Sequence, residues 1–285
     1  MLLTILALLA GFVLEAVVLY FLLSLLQDAG AVRQNYLGKE IPVSAGISFP
    51  MVTLAAYLVY GCFDQYDLGF HVFLIGIMAI SFLGFIDDML GKRDITGFKG
   101  HFKALFKGRL TTGGLKALGG GVIAFYLALT NPTVISSISA GEVILDTLLI
   151  ALFTNMLNLF DLRPGRAIKG FLFFGVIIVI IALGKIDWML ITPLLGAVLY
   201  YFWIDLKAGA MMGDAGSNVL GLSLGYLCII SLGIIPRILI LLGLVAIHIY
   251  TEKFSLSQTI ERVRWLRFLD ELGRGQVYDK SAENN

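Results

Sequence analysis

Apolar runs close to 20 residues long recur from one end of the 285-residue chain to the other. That recurrence constrains the fold more than any single residue does. A helix of about 20 residues crosses a ~30 Å hydrocarbon layer, and inside such a layer each backbone N–H and C=O must be satisfied within the segment itself. The runs are continuous and do not alternate with period two, which argues against a transmembrane β-barrel. Composition agrees: the chain is 58% hydrophobic and 14% charged, against about 45–50% and about 25% in soluble domains. The expected fold is all-α, a polytopic integral membrane helical bundle.

Nine spans fit the hydropathy, at roughly 1–26, 43–62, 69–86, 115–131, 143–160, 168–184, 187–205, 216–234 and 236–252. The first lacks a basic leader and is too long for a signal h-region, so it reads as a retained span. Residues 1–252 form the transmembrane domain on this reading, and 253–285 a polar tail. Charge tests the layout. Nineteen of the 21 Lys and Arg residues fall after odd-numbered spans, leaving only Lys185 and Arg237 on the other side. The positive-inside rule then places the N-terminus outside and the C-terminus in the cytoplasm.

Within the tail, Ile260, Val263, Leu266, Leu269 and Leu272 recur at intervals of three, interleaved with Arg262, Arg264 and Arg267. This pattern suits an amphipathic helix on the inner membrane surface, or else a solvated basic tail. Cys62 and Cys228 lie far apart in apolar runs, without metal-ligand spacing, and are expected to be buried packing residues.

Polar groups collect on the predicted cytoplasmic side. Asp87 and Asp88 end the third run; Asn155, Asn158 and Asp161 end the fifth; Gly213 to Asn218 opens the eighth. Lys39 and Lys103 belong to the intervening connections. Carboxylates this close repel unless protonated or bridged by a cation, and oxygen ligands with amide neighbours suit Mg²⁺ or Mn²⁺ better than zinc. Asn155, Asn158 and Asp161, spaced by three, make a slowly drifting helical stripe. Such a stripe is costly at a span end unless it faces a cavity or the bundle interior. Asp214 or Ser217 could cap the helix that follows, and free amides there could hold phosphate oxygens. A transporter is disfavoured, since its acids would sit near mid-membrane.

From about residue 35 to 220 the chain resembles the polyprenyl-phosphate N-acetylhexosamine-1-phosphate transferases, the group that includes the phospho-muramoyl-pentapeptide transferases. Lys39-Glu-Ile-Pro42-Val-Ser-Ala-Gly46 resembles their Lys-x-x-Pro-Thr-Met-Gly-Gly loop. Phe85-Ile-Asp87-Asp88, followed by Gly97 to Lys103, resembles the aspartate pair and downstream basic helix. Asn155 to Asp161 is similar to the Asn-x-x-Asn-x-x-Asp element, and Met212 to Ser217 to the Gly-Asp-x-Gly-Ser element. The resemblance implies a transferase that moves a sugar 1-phosphate from a UDP-amino sugar to undecaprenyl phosphate, releasing UMP in cell-envelope synthesis. It implies Mg²⁺, with Mn²⁺ as the alternative, held by Asp214 and Asp88. Asp87, Asp88 and Asp161 would be catalytic, Lys39 and Lys103 would hold phosphates, and Asn155 and Asn158 would orient donor or acids.

The family usually continues after its third acid with Gly-Leu/Met-Asp-Gly. Here the chain reads Leu162-Arg163-Pro164-Gly165-Arg166, so the second acid is lost. Arg163 and Arg166 are then either positive-inside anchors or a rebuilt donor site. Two functional classes stay open: a transferase, and a relative that binds polyprenyl phosphate as a scaffold without transfer. The implied partners are the lipid, a UDP-sugar and a bacterial plasma membrane, with no nucleic acid; a homodimer is an open alternative.

Overall fold

The structure, a computed structural model, describes residues 1–63, 67–91, 111–131 and 139–274. One long helix falls in each of the nine expected runs: α1 (Leu2–Asp28), α2 (Ser48–Gly61), α3 (Leu68–Leu90), α4 (Thr112–Leu129), α5 (Ala140–Phe160), α6 (Arg166–Ala182), α7 (Trp188–Leu206), α8 (Gly213–Ser231) and α9 (Ile234–Lys253). Six of them, α1, α3, α4, α5, α7 and α9, are long and apolar enough to cross a membrane. Two short helices follow, α10 (Leu256–Arg262) and α11 (Arg264–Glu271). The fold is that of a multi-pass, all-α membrane protein.

Several helix starts can be read from their caps. Asp67 accepts hydrogen bonds from the Gly69 and Phe70 amides at the head of α3, Thr111 from Gly114 at α4, and Asp187 from Leu190 at α7. Each satisfies a donor that the first helical turn would otherwise leave unpaired.

α8 is the central element. All but a few of its residues are buried, and it packs along α5 and α3. Small residues permit this: a side chain at Gly221 or Gly225 would run into the α5 backbone at Phe153–Thr154 or Ile150. α1 lies along α7 in the same close manner, Gly11 against the Pro193 carbonyl and Gly196 against α1 near Leu8. α4 spans α3 and α5, and α9 leans on α5 with most of its surface exposed.

Three features depart from expectation. A small hairpin, unforeseen from the sequence, interrupts the helical pattern after α1: β1 (Val32–Gln34) pairs antiparallel with β2 (Glu40–Pro42), Arg33 opposite Ile41. Cys62 is exposed at the end of α2, whereas Cys228 is buried as expected. The tail is also broken. Val263 takes an extended conformation between α10 and α11, so Ile260 to Leu272 do not form one helical stripe.

Candidate functional site

The C-terminal ends of α3, α5 and α7 and the N-terminal ends of α2, α4, α6 and α8 meet at one end of the bundle. Asp88, in the last turn of α3, reaches across to α8. Its Oδ1 accepts the Asp214 amide at 3.1 Å, and its Oδ2 accepts the Ala215 amide at 3.2 Å and the Ser44 hydroxyl. Asp88 therefore caps the head of α8 from 126 positions away. It occupies the Asp214 and Ala215 amides, two of those read from sequence as free for phosphate. Arg33 from β1 donates to the Asp88 carbonyl and fixes the same corner.

Backbone pairing joins two of the sequence motifs here. The Met211 amide donates to the Pro42 carbonyl at 2.8 Å, and the Ala45 and Gly46 amides donate to Met211 and Met212 at 3.0 Å. Gly46 and Gly216 stand in direct contact, with no room for a β-carbon on either. Ser44, at φ 63°, turns the chain so that its hydroxyl faces Asp88.

Asp214 presents its carboxylate beside this corner. Its Oδ1 accepts the Asn158 amide at 2.6 Å, and its Oδ2 accepts the Lys116 ammonium, which Asp87 shares. Two carboxylates approach like that only with a proton or cation between them. Lys116, from the second turn of α4, also sits 3.7 Å from Asp87. Asn158 reaches Ser217 as well, at 3.2 Å. Asp161 is the C-cap of α5. Burial, and then the charges of Asp205, Asp214 and Asp88, hold its carboxyl well above the usual carboxylate range.

Asp87, Asp88, Asn158, Asp161 and Asp214 are thus brought together. Asn155 is half-buried one turn away, without a side-chain hydrogen bond among the described residues. Lys39 is exposed near the hairpin turn, and Lys103 lies outside the described residues. Arg163 stacks over the Tyr36 ring, 5.5 Å from its centroid. Arg166 is engaged elsewhere: it is buried and bonded to Asp270 and Ser257 of the tail.

Lys116 and Asp205 went unrecognised as members of this cluster. Each is a charge lying inside an apolar run, and that is the signal that could have found them. Asp205 accepts the Gly165 amide at 2.9 Å and so braces the turn after Asp161.

The donors suit a hard cation in part. Among the described residues no three acids gather closely enough to hold a metal by themselves. Mg²⁺, however, is commonly held by one or two carboxylates, with waters and substrate phosphates completing the shell. The facing oxygens of Asp87 and Asp214 fit that pattern.

Apolar spanning helices ending on a shared cluster of acids, an amide and a lysine define a multi-pass membrane protein with one polar working end. The chain belongs to glycosyl transferase family 4, whose profile matches residues 70–232. No curated protein matches the chain. The family makes it a transferase, with a lipid and a sugar nucleotide as its partners in general terms.

Proposed function

We propose that the protein transfers a sugar 1-phosphate from a UDP-amino sugar to undecaprenyl phosphate, releasing UMP, during synthesis of a cell-envelope polymer. The observation that carries this reading is the facing of Asp87 and Asp214 across the Lys116 ammonium, with Asn158 beside them. An oxygen of the lipid phosphate forms a bond to the β-phosphorus of the donor. The bond from that phosphorus to the bridging oxygen breaks, and UMP leaves with the electron pair. Little of this is covalent work for the protein. Its tasks are neutralising charge and holding the reacting groups in line.

Asp87 and Asp214 would hold Mg²⁺ or Mn²⁺, which when bound neutralises charge on the diphosphate. Asp88, expected among the ligands, serves here by fixing the head of α8 and so the direction of Asp214. Lys116 supplies positive charge to phosphate oxygens. Asp161 positions or deprotonates the incoming lipid phosphate, its raised pKa suiting it to carry a proton. Asn158 fixes Asp214, and Asn155, Lys39 and Arg163, together with Lys103 as the family resemblance implies, would bind the donor. A cavity of about 140 Å³ between α5, α6 and α9, lined by Phe153, Phe174, Ile178, Leu244 and Ile247, offers an apolar surface for part of the lipid chain. On this reading nine helices cross a bacterial plasma membrane, with the polar end and the tail in the cytoplasm.

One pair of observations favours a second reading, a family member that binds the lipid phosphate without transfer. Lys116 already neutralises Asp87 and Asp214, and the turn that replaces the missing donor-side acid is tied up by the tail. A screen of UDP-sugars with polyprenyl phosphate and Mg²⁺, reading UMP release, separates the two. Metal-dependent release supports transfer. Lipid-phosphate binding with no release from any donor rejects it.

A further inference from the structure

The tail presents a surface that the transfer chemistry does not use. α10 begins shortly beyond the end of α9, and the Tyr250 hydroxyl bonds Thr259 at 2.7 Å, folding α10 back beside the end of that candidate span. At its far end Asp270 is held by Arg166, at the first position of α6. The two short helices are thus pinned at both ends to the ends of long apolar helices, and must lie across that end of the bundle.

α11 has three faces. At 100° per residue, Asp270 and the half-buried Leu266 turn toward the protein, while Arg264, Arg267 and Glu271 form a charged side. The third side carries Trp265, Phe268 and Leu269, continued by Leu272 just past the last turn, and these are 64%, 64%, 47% and 56% exposed. Four large apolar side chains on about two turns form a contiguous exposed patch of the kind that marks an interaction surface. An aromatic and aliphatic face flanked by arginines matches a membrane interface, where apolar groups enter the acyl boundary and cations meet anionic headgroups.

We propose that α11 docks on the headgroup layer of an anionic bilayer through Trp265, Phe268, Leu269 and Leu272, with Arg262, Arg264 and Arg267 meeting the lipid phosphates. The occupant is the bilayer in which the protein itself sits, because the ends of α10 and α11 are tied to helices that enter it. Where the tail rests is independent of the transfer reaction, and no step of the chemistry depends on it.

The test uses the full chain in nanodiscs of phosphatidylcholine and phosphatidylglycerol. Subtracting the emission of Trp265→Phe from that of the unmodified protein isolates Trp265 from Trp188 and Trp203. Lipids brominated near the carbonyl end of the acyl chain are expected to quench the Trp265 share, while aqueous iodide leaves it nearly unchanged. Replacing phosphatidylglycerol by phosphatidylcholine is expected to weaken the quenching. Moving the probe one turn along the same face, with Phe268→Trp in the Trp265→Phe background, is expected to restore it. Quenching by iodide in place of lipid would place the helix in water and overturn the proposal. Shielding from both quenchers would mean that a second copy or another part of the chain covers the face, and overturns it equally. Quenching indifferent to lipid charge removes the role assigned to the arginines.

Discussion

Arg166 grips Asp270 with two parallel hydrogen bonds, Nε to Oδ1 at 2.8 Å and Nη2 to Oδ2 at 2.9 Å, although 104 positions separate them. Arg274 holds the same carboxylate from its other side and also donates to the Pro164 carbonyl at 2.6 Å. Lys169 adds bonds to the Leu269 and Asp270 carbonyls. The tail is thereby fastened to the turn that leads out of Asp161. Asp270→Ala would strand two buried guanidinium groups, at a cost on the order of 3–5 kcal/mol to the docked state. Hydrogen exchange is expected to quicken in residues 255–274 and around Pro164. Unaltered protection in both segments would show that the clasp is incidental.

The clasp also predicts a pH dependence. Burial alone would raise the Asp270 carboxyl, but the hydrogen bonds and charges of Arg166 and Arg274 outweigh it and hold the pKa below its ordinary value. A depressed acid contributes stability that is complete above the unfolded pKa, about 3.9, and is lost as the pH falls through the folded one. Tail docking is therefore expected to be constant from neutral pH to about 5 and to weaken only in stronger acid. The Trp265 share of the emission, followed across this pH range and compared with that in Asp270→Asn, reads this directly. Release that begins near neutral pH would point to a different group.

Charges at the two ends of the bundle should behave differently. Lys116→Ala or Asp214→Asn is expected to lower UMP release by about 10²–10³-fold, the scale of losing one preorganised electrostatic group. Arg237 lies at the other end, its Nη1 donating to both oxygens of buried Asp146 at 2.7 and 2.8 Å and its Nη2 to Glu142 at 3.1 Å. Asn131 completes that network through Asp146 and the Ile229 carbonyl. Arg237→Ala is expected to cost on the order of 3–5 kcal/mol of stability while UMP release per folded molecule holds. Thermal unfolding alongside activity separates the two effects, and equal loss of activity in both variants would contradict this division.

Gly84 makes the site sensitive to a single methyl group. A β-carbon there would strike the Asp214 backbone, where α3 and α8 cross one turn before Asp88. Overpacking of this kind costs about 1–3 kcal/mol, and here it would also separate Asp87 and Asp88 from Asp214. Gly84→Ala is expected to remove most UMP release while the protein still folds and extracts normally. Wild-type rates in that variant would mean the helix crossing tolerates the shift.

Much of the fold is legible in the amino-acid pattern alone. Hydropathy is local, and 20-residue apolar runs have one inexpensive solution in a bilayer, so the helices lie where the runs predicted. The order of the motifs likewise indicated the family that the profile match bears out. What could not be read was which helix ends meet. Lys116 reads in sequence as one basic residue among many, and only the packing of α4 between α3 and α5 sets it against Asp87 and Asp214. Asp88 reads as a metal ligand in sequence and caps α8 in the fold, because α8 begins opposite the last turn of α3. Arg166 reads as either an anchor or part of a rebuilt donor site, and the return of the tail across the same end gives it Asp270. The sequence by itself determined a membrane-embedded helical transferase family and a set of acids at one boundary, since both follow from local pattern. Tertiary structure decided which of those charges face one another, because that depends on contacts between segments far apart along the chain.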